Sequence, residues 1–156
     1  MDATPLREDL SLLFTALTAW SQGEVVRQLA ADGFDDLRVS HGYVFQHLQN
    51  GPVTVRDLAE KMGVTAQAVS KSTGELERMG YVARTPGADL RIRLIELTEA
   101  GREAVLSARL ARAEVNARMR LALGEDAEAF DKALRTLAES TGALEELAKR
   151  RLRLIG

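Results

Sequence analysis

Two short helical patterns follow one another at residues 54–80, with only a tight turn between them. Each begins at a threonine suited to an N-cap, Thr54 and Thr65, and the first ends at Gly63, which tolerates a left-handed cap. Their apolar positions recur at helical spacing: Leu58, Ala59 and Met62 in the first, and Val69, Thr73 and Leu76 in the second. Two capped helices with so short a joint must cross at a steep angle, which predicts a helix-turn-helix.

The opposite side of the second helix is small and polar. It carries four residues that we call the outer face: Gln67, Ser70, Lys71 and Gly74. Long apolar side chains would block the approach to base edges, so this composition favours a surface that enters the major groove of DNA. A glutamine can also bond bidentately to adenine. A solvated helix surface is the alternative interpretation of Gln67 and Lys71, because exposed helices commonly carry both residue types.

Two strand-like runs, 81–85 and 91–97, follow the second helix and are joined by Pro86-Gly87-Ala88-Asp89-Leu90. They predict a β-hairpin, or wing, beside the helix-turn-helix. The hairpin supplies three arginines that are candidates for DNA binding: Arg84, Arg91 and Arg93. An arginine at a wing tip can enter a narrow minor groove, where the negative potential is enhanced, so Arg91 is the foremost candidate. A pairing of Arg91 with Asp89 would not exclude this role.

Amphipathic helical patterns precede this region. The first helix is predicted to begin near Pro5, a residue suited to the first turn, and to run to about Ala31. The second is predicted from an N-cap at Ser40 to the terminator Asn50-Gly51-Pro52. Its inner face is predicted to consist of Val44, Phe45 and Leu48.

Two long helices are predicted beyond the wing. One is capped by Thr98 and runs to Gly124, and the other follows Glu125-Asp126 and reaches a basic cluster at 149–153. The long helices carry apolar stripes that a compact core leaves uncovered, and a twofold dimer would cover them with a single sequence. We therefore predict a mainly α protein with two parts: a winged helix-turn-helix DNA-binding domain at residues 37–98, and a helical dimerisation region at residues 1–36 and 99–156.

The composition argues against several other classes of protein. The 156 residues include no cysteine, which removes disulfides and thiolate metal sites. The net charge of -2 combines an acidic excess in residues 1–51 with a slight basic excess in the middle of the chain. No nucleophile elbow, phosphate loop or spaced carboxylate pair indicates an enzyme, and no cofactor is predicted. We see no signal peptide or membrane-spanning run, and we expect a cytoplasmic protein.

Three residues are candidates for the wall of an effector pocket between the dimer region and the DNA-binding domain: Trp20, His41 and Tyr43. Aromatic walls with few polar groups are typical of small-molecule sites. A core tryptophan and a histidine near a helix start are the alternative interpretation. His41 and His47 are six residues apart, which does not match the i, i+4 spacing of a helical metal pair, so we predict no metal site.

Three motifs occur in a characteristic order: Leu76-Glu-Arg-Met-Gly-Tyr-Val at the end of the second helix of the helix-turn-helix, Asp89-Leu-Arg in the wing, and Leu97-Thr-Glu-Ala-Gly at the start of the long helix. In order and spacing they resemble the MarR family (multiple antibiotic resistance regulators). The order of the remaining helices also agrees with that family, so the resemblance covers nearly the whole chain.

The resemblance implies an obligate homodimer that binds palindromic double-stranded DNA, usually as a repressor. Small anions, phenolic or aromatic compounds, metals or oxidants release different members. It places Arg91 in the minor groove, with Asp89 as the acid that orients it. Leu90 departs from the pattern, because many members have a second arginine there; its loss should weaken the attraction to DNA, and Arg93 could substitute. The residues placed in or beside the major groove are Thr65, Gln67, Ser70 and Lys71.

These observations together predict a dimeric, DNA-binding transcriptional regulator, most simply a repressor released by a small aromatic or anionic effector. A winged-helix module that binds another protein is the main alternative, since the fold does not by itself dictate DNA binding. A strongly apolar outer face would have favoured that module. An activator and a regulator without a ligand are further alternatives.

Overall fold

A computed structural model describes residues 9–89 and 91–149 of the chain. Helices account for most of these residues. A small antiparallel sheet combines one strand that precedes the third helix with two strands between the fourth and fifth helices. The elements in chain order are α1 (Leu10–Ala31), α2 (Val39–Leu48), β1 (Val53–Thr54), α3 (Val55–Met62), α4 (Ala66–Arg78), β2 (Val82–Pro86), β3 (Arg93–Leu97), α5 (Glu99–Leu123), α6 (Ala127–Ser140) and α7 (Ala143–Lys149).

The helix-turn-helix and the wing share one core. The strand order is β1-β3-β2, with β3 antiparallel to both neighbours. Ile95 of β3 pairs with Val53 of β1 and with Arg84 of β2, and its side chain is fully buried beneath the helices. The predicted inner faces are confirmed by the buried side chains: Val44, Phe45 and Leu48 of α2, Leu58, Ala59 and Met62 of α3, and Val69, Thr73 and Leu76 of α4.

The predicted caps are also confirmed. The Oγ1 atoms of Thr54, Thr65 and Thr98 accept backbone N–H bonds from the residue three positions on, at 3.0, 3.1 and 3.1 Å respectively. Each bond satisfies a donor that the first turn of a helix leaves free. Gly63 ends α3 with a φ of 66°, a left-handed value that a glycine adopts without strain.

Several predicted boundaries are wrong. The first described helix begins at Leu10, because Asp9 Oδ1 accepts the N–H groups of Ser11 and Leu12 as an N-cap; the predicted start near Pro5 lies outside the described residues. Helix α2 begins at Val39 rather than after Ser40, with Arg38 at the cap position. The wing strands are also offset, since the first includes Pro86 and the second begins at Arg93.

The last long helix is interrupted rather than continuous. Helix α6 ends at Ser140 and α7 begins at Ala143, with Gly142 between them at a φ of 72°. The Thr141 hydroxyl donates to Leu137 O at 2.8 Å, which satisfies a carbonyl at the helix end. The prediction of one helix here was therefore wrong, and most of the basic cluster at 149–153 lies outside the described residues.

Helix α1 lies along α5, and polar contacts join the two. Glu24 accepts from Arg118 at 2.6 Å, and the Arg118 guanidinium carbon stands 5.2 Å from the centre of the Trp20 ring. The hydroxyl of Ser107, a buried residue, donates to Asp32 at 2.6 Å. These contacts leave a row of apolar side chains of α1 exposed in the single chain: Leu10, Leu13, Phe14 and Leu17.

The start of α5 meets the wing through a close backbone contact. Thr98 N–H donates to Tyr81 O at 3.0 Å, and the Thr98 hydroxyl donates to Gly80 O at 2.6 Å. A Cβ atom on Gly101 would lie only 2.1 Å from Tyr81 O. The glycine is therefore required for this approach. Within the described part of the chain, no helix is long and apolar enough to cross a membrane.

Candidate DNA-binding surface

Helix α4 divides into a buried and an exposed side. Val69, Thr73 and Leu76 are buried, and the Thr73 hydroxyl donates to Val69 O at 2.9 Å, so no polar group is left unpaired there. The predicted outer face points away from this core: Gln67, Ser70 and Lys71 are exposed, and Gly74 is half-buried. No long apolar side chain lies within the outer face, so it is accessible to a groove of DNA.

Thr65 stands at the start of this surface. It is exposed, and its Oγ1 accepts the N–H of Ala68 at 3.1 Å. A hydroxyl oxygen used in this way still has its own proton to donate. Thr65 thus caps α4 and retains a donor for a DNA phosphate or base.

The wing tip is ordered by backbone bonds. Gly87 N–H donates to Ile92 O, and Ile92 N–H donates to Asp89 O, both at 2.9 Å. Asp89 Oδ1 accepts the backbone N–H of Arg91 at 2.9 Å. The contact of the acid is therefore with the backbone of Arg91 rather than with its guanidinium. The exposed Arg91 side chain projects from this ordered turn, and Arg93, also exposed, pairs with Pro86 at the end of the hairpin. Leu90 lies outside the described residues.

Two arginines from other elements lie beside α4. Arg84 of β2, a predicted DNA-binding residue, donates from Nε to Glu77 Oε2 at 3.0 Å. On the other side, Arg38 at the cap of α2 donates from Nη2 to Glu75 Oε2 at 2.6 Å. Arg38 was not predicted as a site residue, because nothing in the local sequence pattern links residues 37 positions apart. Each arginine neutralises an acid on the helix that carries the outer face.

The three residues predicted for an effector pocket lie in different settings. Trp20 contacts Arg118 on α5, whereas Tyr43 is half-buried against the core of the winged helix. His41 is buried, and its Nδ1 accepts the Arg38 N–H at 3.2 Å, so the ring acts in place of a capping side chain. Burial, followed by the charge of Arg38, lowers the pKa of His41 below its usual 6.5, and the Glu75 carboxylate opposes this only in part. Their grouping as one pocket stays a prediction.

A shallow cavity lies at the junction between the winged helix and α5. Its volume is about 210 Å³. Apolar side chains and two guanidinium groups share its wall, and Arg102 Nη1 also donates to Leu97 O at 2.7 Å. The residues around it are Gln49, Leu97, Arg102, Val105, Leu106 and Arg109.

The fold and the exposed surface of α4 define a winged helix-turn-helix protein. Residues 35–92, from the approach to α2 through the wing tip, match the sequence profile of the MarR family. Over this winged helix the chain is similar to the MarR family, in agreement with the motifs of its sequence. No curated protein sequence matches the chain.

Solved structures share the arrangement well beyond the matched range. The YusO protein of Bacillus subtilis is 26% identical with a TM-score of 0.67, over 92% of this chain and 99% of that one. A MarR-family transcriptional regulator from Rhodococcus sp. RHA1 is 26% identical with a TM-score of 0.60, over 85% and 94%. CouR from Rhodococcus jostii RHA1, bound to p-coumaroyl-CoA, is 23% identical with a TM-score of 0.62, over 97% of each chain.

Proposed function

We propose that the protein is a dimeric transcriptional repressor that binds a palindromic DNA operator and is released by a small-molecule effector. The observation that carries this proposal is the outer face of α4, which is exposed, small and polar beside a wing that presents Arg91. Such a helix suits the major groove, and an arginine at the wing tip suits an adjacent minor groove. We expect Thr65, Gln67, Ser70, Lys71 and Gly74 in the major groove, and Arg84, Asp89, Arg91 and Arg93 at the wing contact.

The exposed apolar side chains support the dimer. Leu10, Leu13, Phe14 and Leu17 share one helix and are all more than a third exposed in the single chain. Exposed rows of apolar side chains mark interfaces in soluble proteins. In a twofold dimer, the row on one protomer packs against the same row on the other. A dimer would also place two copies of α4 about one duplex turn apart, roughly 34–36 Å, as a palindromic operator requires.

An effector would act through its differential affinity. A ligand that binds more tightly to a form with misplaced α4 helices lowers the affinity for DNA, and DNA lowers the affinity for the ligand by the same factor. The liganded structure of CouR supports the presence of such a site in this fold. The prediction that Trp20, His41 and Tyr43 contribute to it belongs to this proposal, and the cavity at the α5 junction is a second place to look.

The test is DNA binding by the purified protein, measured by fluorescence anisotropy on the DNA upstream of its own gene at several salt concentrations. We expect sequence-dependent binding with a steep salt slope. Lys71→Ala should weaken binding to every sequence and reduce the slope, whereas Gln67→Ala should chiefly relax the preference at one base position. An unchanged slope for Lys71→Ala would refute its phosphate contact.

A winged-helix module for a protein partner is the competing function. It predicts binding to the upstream DNA no tighter than to random duplex at any salt concentration. That result would be consistent with the winged-helix fold, but it would contradict the proposal that the protein binds a DNA operator. The polar character of the outer face argues against this function, because protein interfaces bury apolar and aromatic side chains at their centre.

A further inference from the structure

The outer face of α4 has an acid on each side. With 3.6 residues per turn, Glu75 and Glu77 each lie about a quarter-turn from the centre of that face, in opposite directions. A helix about 10–12 Å across nearly fills a major groove about 12 Å wide. With α4 in a major groove, side chains at those two positions would face the sugar–phosphate strands on the groove walls. Two bare carboxylates there would repel the DNA.

Each of these acids is paired with an arginine from outside the helix-turn-helix. Glu77 accepts from Arg84 of the wing, which the sequence already indicates as a DNA-binding residue. Glu75 accepts from Arg38, which precedes α2 and belongs to no DNA-binding motif in the sequence. The two pairs lie on opposite sides of α4.

The Arg38 guanidinium is bonded to Glu75 but still has N–H groups available for another partner. Its Nη2 atom bonds Glu75 at 2.6 Å and stands 3.4 Å from Nε2 of the buried His41 ring. The side chain nevertheless remains 65% exposed. A guanidinium has five N–H donors and binds phosphate bidentately, so an arginine with one acid partner can still bind a phosphate.

We propose that Arg38 is a phosphate-binding residue of this protein, positioned by its bond to Glu75 against the DNA strand on the α2 side of α4. The inference rests on the proposed function, since it requires that α4 enter a major groove. It extends the DNA contact to a residue 27 positions before Thr65 in the chain. In a dimer it adds one phosphate contact in each half-site.

The salt dependence of DNA binding tests this contact. Each neutralised phosphate contributes about 0.9 to the slope of log K against log salt, so Arg38→Ala should reduce the slope by about 1.8 in a dimer. Arg27→Ala is the matched control, because Arg27 also bonds a glutamate at 2.6 Å and is 72% exposed, but it lies on α1. The control should keep the slope of the unaltered protein.

A double variant separates phosphate binding from simple masking of the acid. In Arg38→Ala/Glu75→Gln no bare carboxylate remains, yet the phosphate contact is still missing, so the slope should stay reduced. A return to the slope of the unaltered protein would show that Arg38 only neutralises Glu75, and would overturn the inference.

Lys71→Ala distinguishes this inference from the proposed function. A reduced slope for Lys71→Ala with an unchanged slope for Arg38→Ala would overturn the Arg38 contact and leave the DNA-binding function standing. An absence of salt-dependent binding by the unaltered protein would overturn both.

Discussion

Replacing Gly101 by alanine should break the junction between α5 and the wing. The new Cβ atom would lie 2.1 Å from Tyr81 O and 3.2 Å from Leu97 Cδ2. Carbon and oxygen ordinarily approach no closer than about 3.3 Å, so the two backbones must separate by about 1 Å. The carbonyl cannot swing away, because it also accepts the Thr98 N–H at 3.0 Å.

The size of the effect follows from opposing contributions. Overpacking costs about 1–3 kcal/mol, and weakening the bond to Tyr81 O and the Thr98 cap adds about 1–2 kcal/mol. Alanine gains about 0.5–1 kcal/mol over glycine in a helix. We expect a net destabilisation of about 3 kcal/mol. For a chain of this size that is a fall of roughly 6–12 °C in the melting temperature.

Thermal unfolding followed by circular dichroism, at one fixed protein concentration, measures this effect. Gly42→Ala is the matched control, since Gly42 lies in α2 with no atom within 4 Å of an added Cβ. The control should be neutral or slightly more stable, by about 0.5–1 kcal/mol. A melting temperature of Gly101→Ala at or above that of the unaltered protein would contradict the predicted clash with Tyr81 O.

Two further changes have expected outcomes. The pKa of His41 in the folded protein lies below its usual 6.5. The ring is therefore neutral above pH 6.5 and costs no stability there, and the free energy of unfolding falls as the pH drops through the folded pKa. His41→Gln retains a cap acceptor that does not titrate. In urea unfolding, the free energy of unfolding of this variant should therefore fall less between about pH 7.5 and 5 than that of the unaltered protein. An equal fall in both would contradict the role of the ring. Tyr81→Phe removes the 2.7 Å bond to Asp36 and should cost about 1–2 kcal/mol in urea unfolding, and a neutral variant would contradict it.

Local interactions account for the parts of the fold that the sequence predicted. A capping threonine acts on an N–H three residues away, so Thr54, Thr65 and Thr98 are recognisable without knowing the tertiary structure. Burial of one side of α4 likewise follows from spacing alone. Gly142 was overlooked as a break because Leu137 and Leu144, seven residues apart, continue the helical stripe across it.

Long-range contacts account for what the sequence analysis missed. A histidine is not among the preferred capping side chains, so the use of His41 as the acceptor at Arg38 had no sequence signal. The pairing of Arg38 with Glu75 depends on how α2 crosses α4. Arg84 was predicted as a DNA contact from its place in the wing, but its bond to Glu77 depends on the same tertiary arrangement. Whether the predicted site residues bind DNA stays a prediction.

Under the proposed function, the separation of a buried and an exposed side on α4 bears on how such a protein acquires new target genes. Val69, Thr73 and Leu76 are the buried residues of this helix, whereas Gln67, Ser70 and Lys71 of the outer face are exposed. Random change at Gln67 or Ser70 is therefore expected to alter which operator is preferred without unfolding the chain. Duplicated copies of the gene could diverge in regulatory target through a few such substitutions, while the scaffold that positions the helix is inherited unchanged.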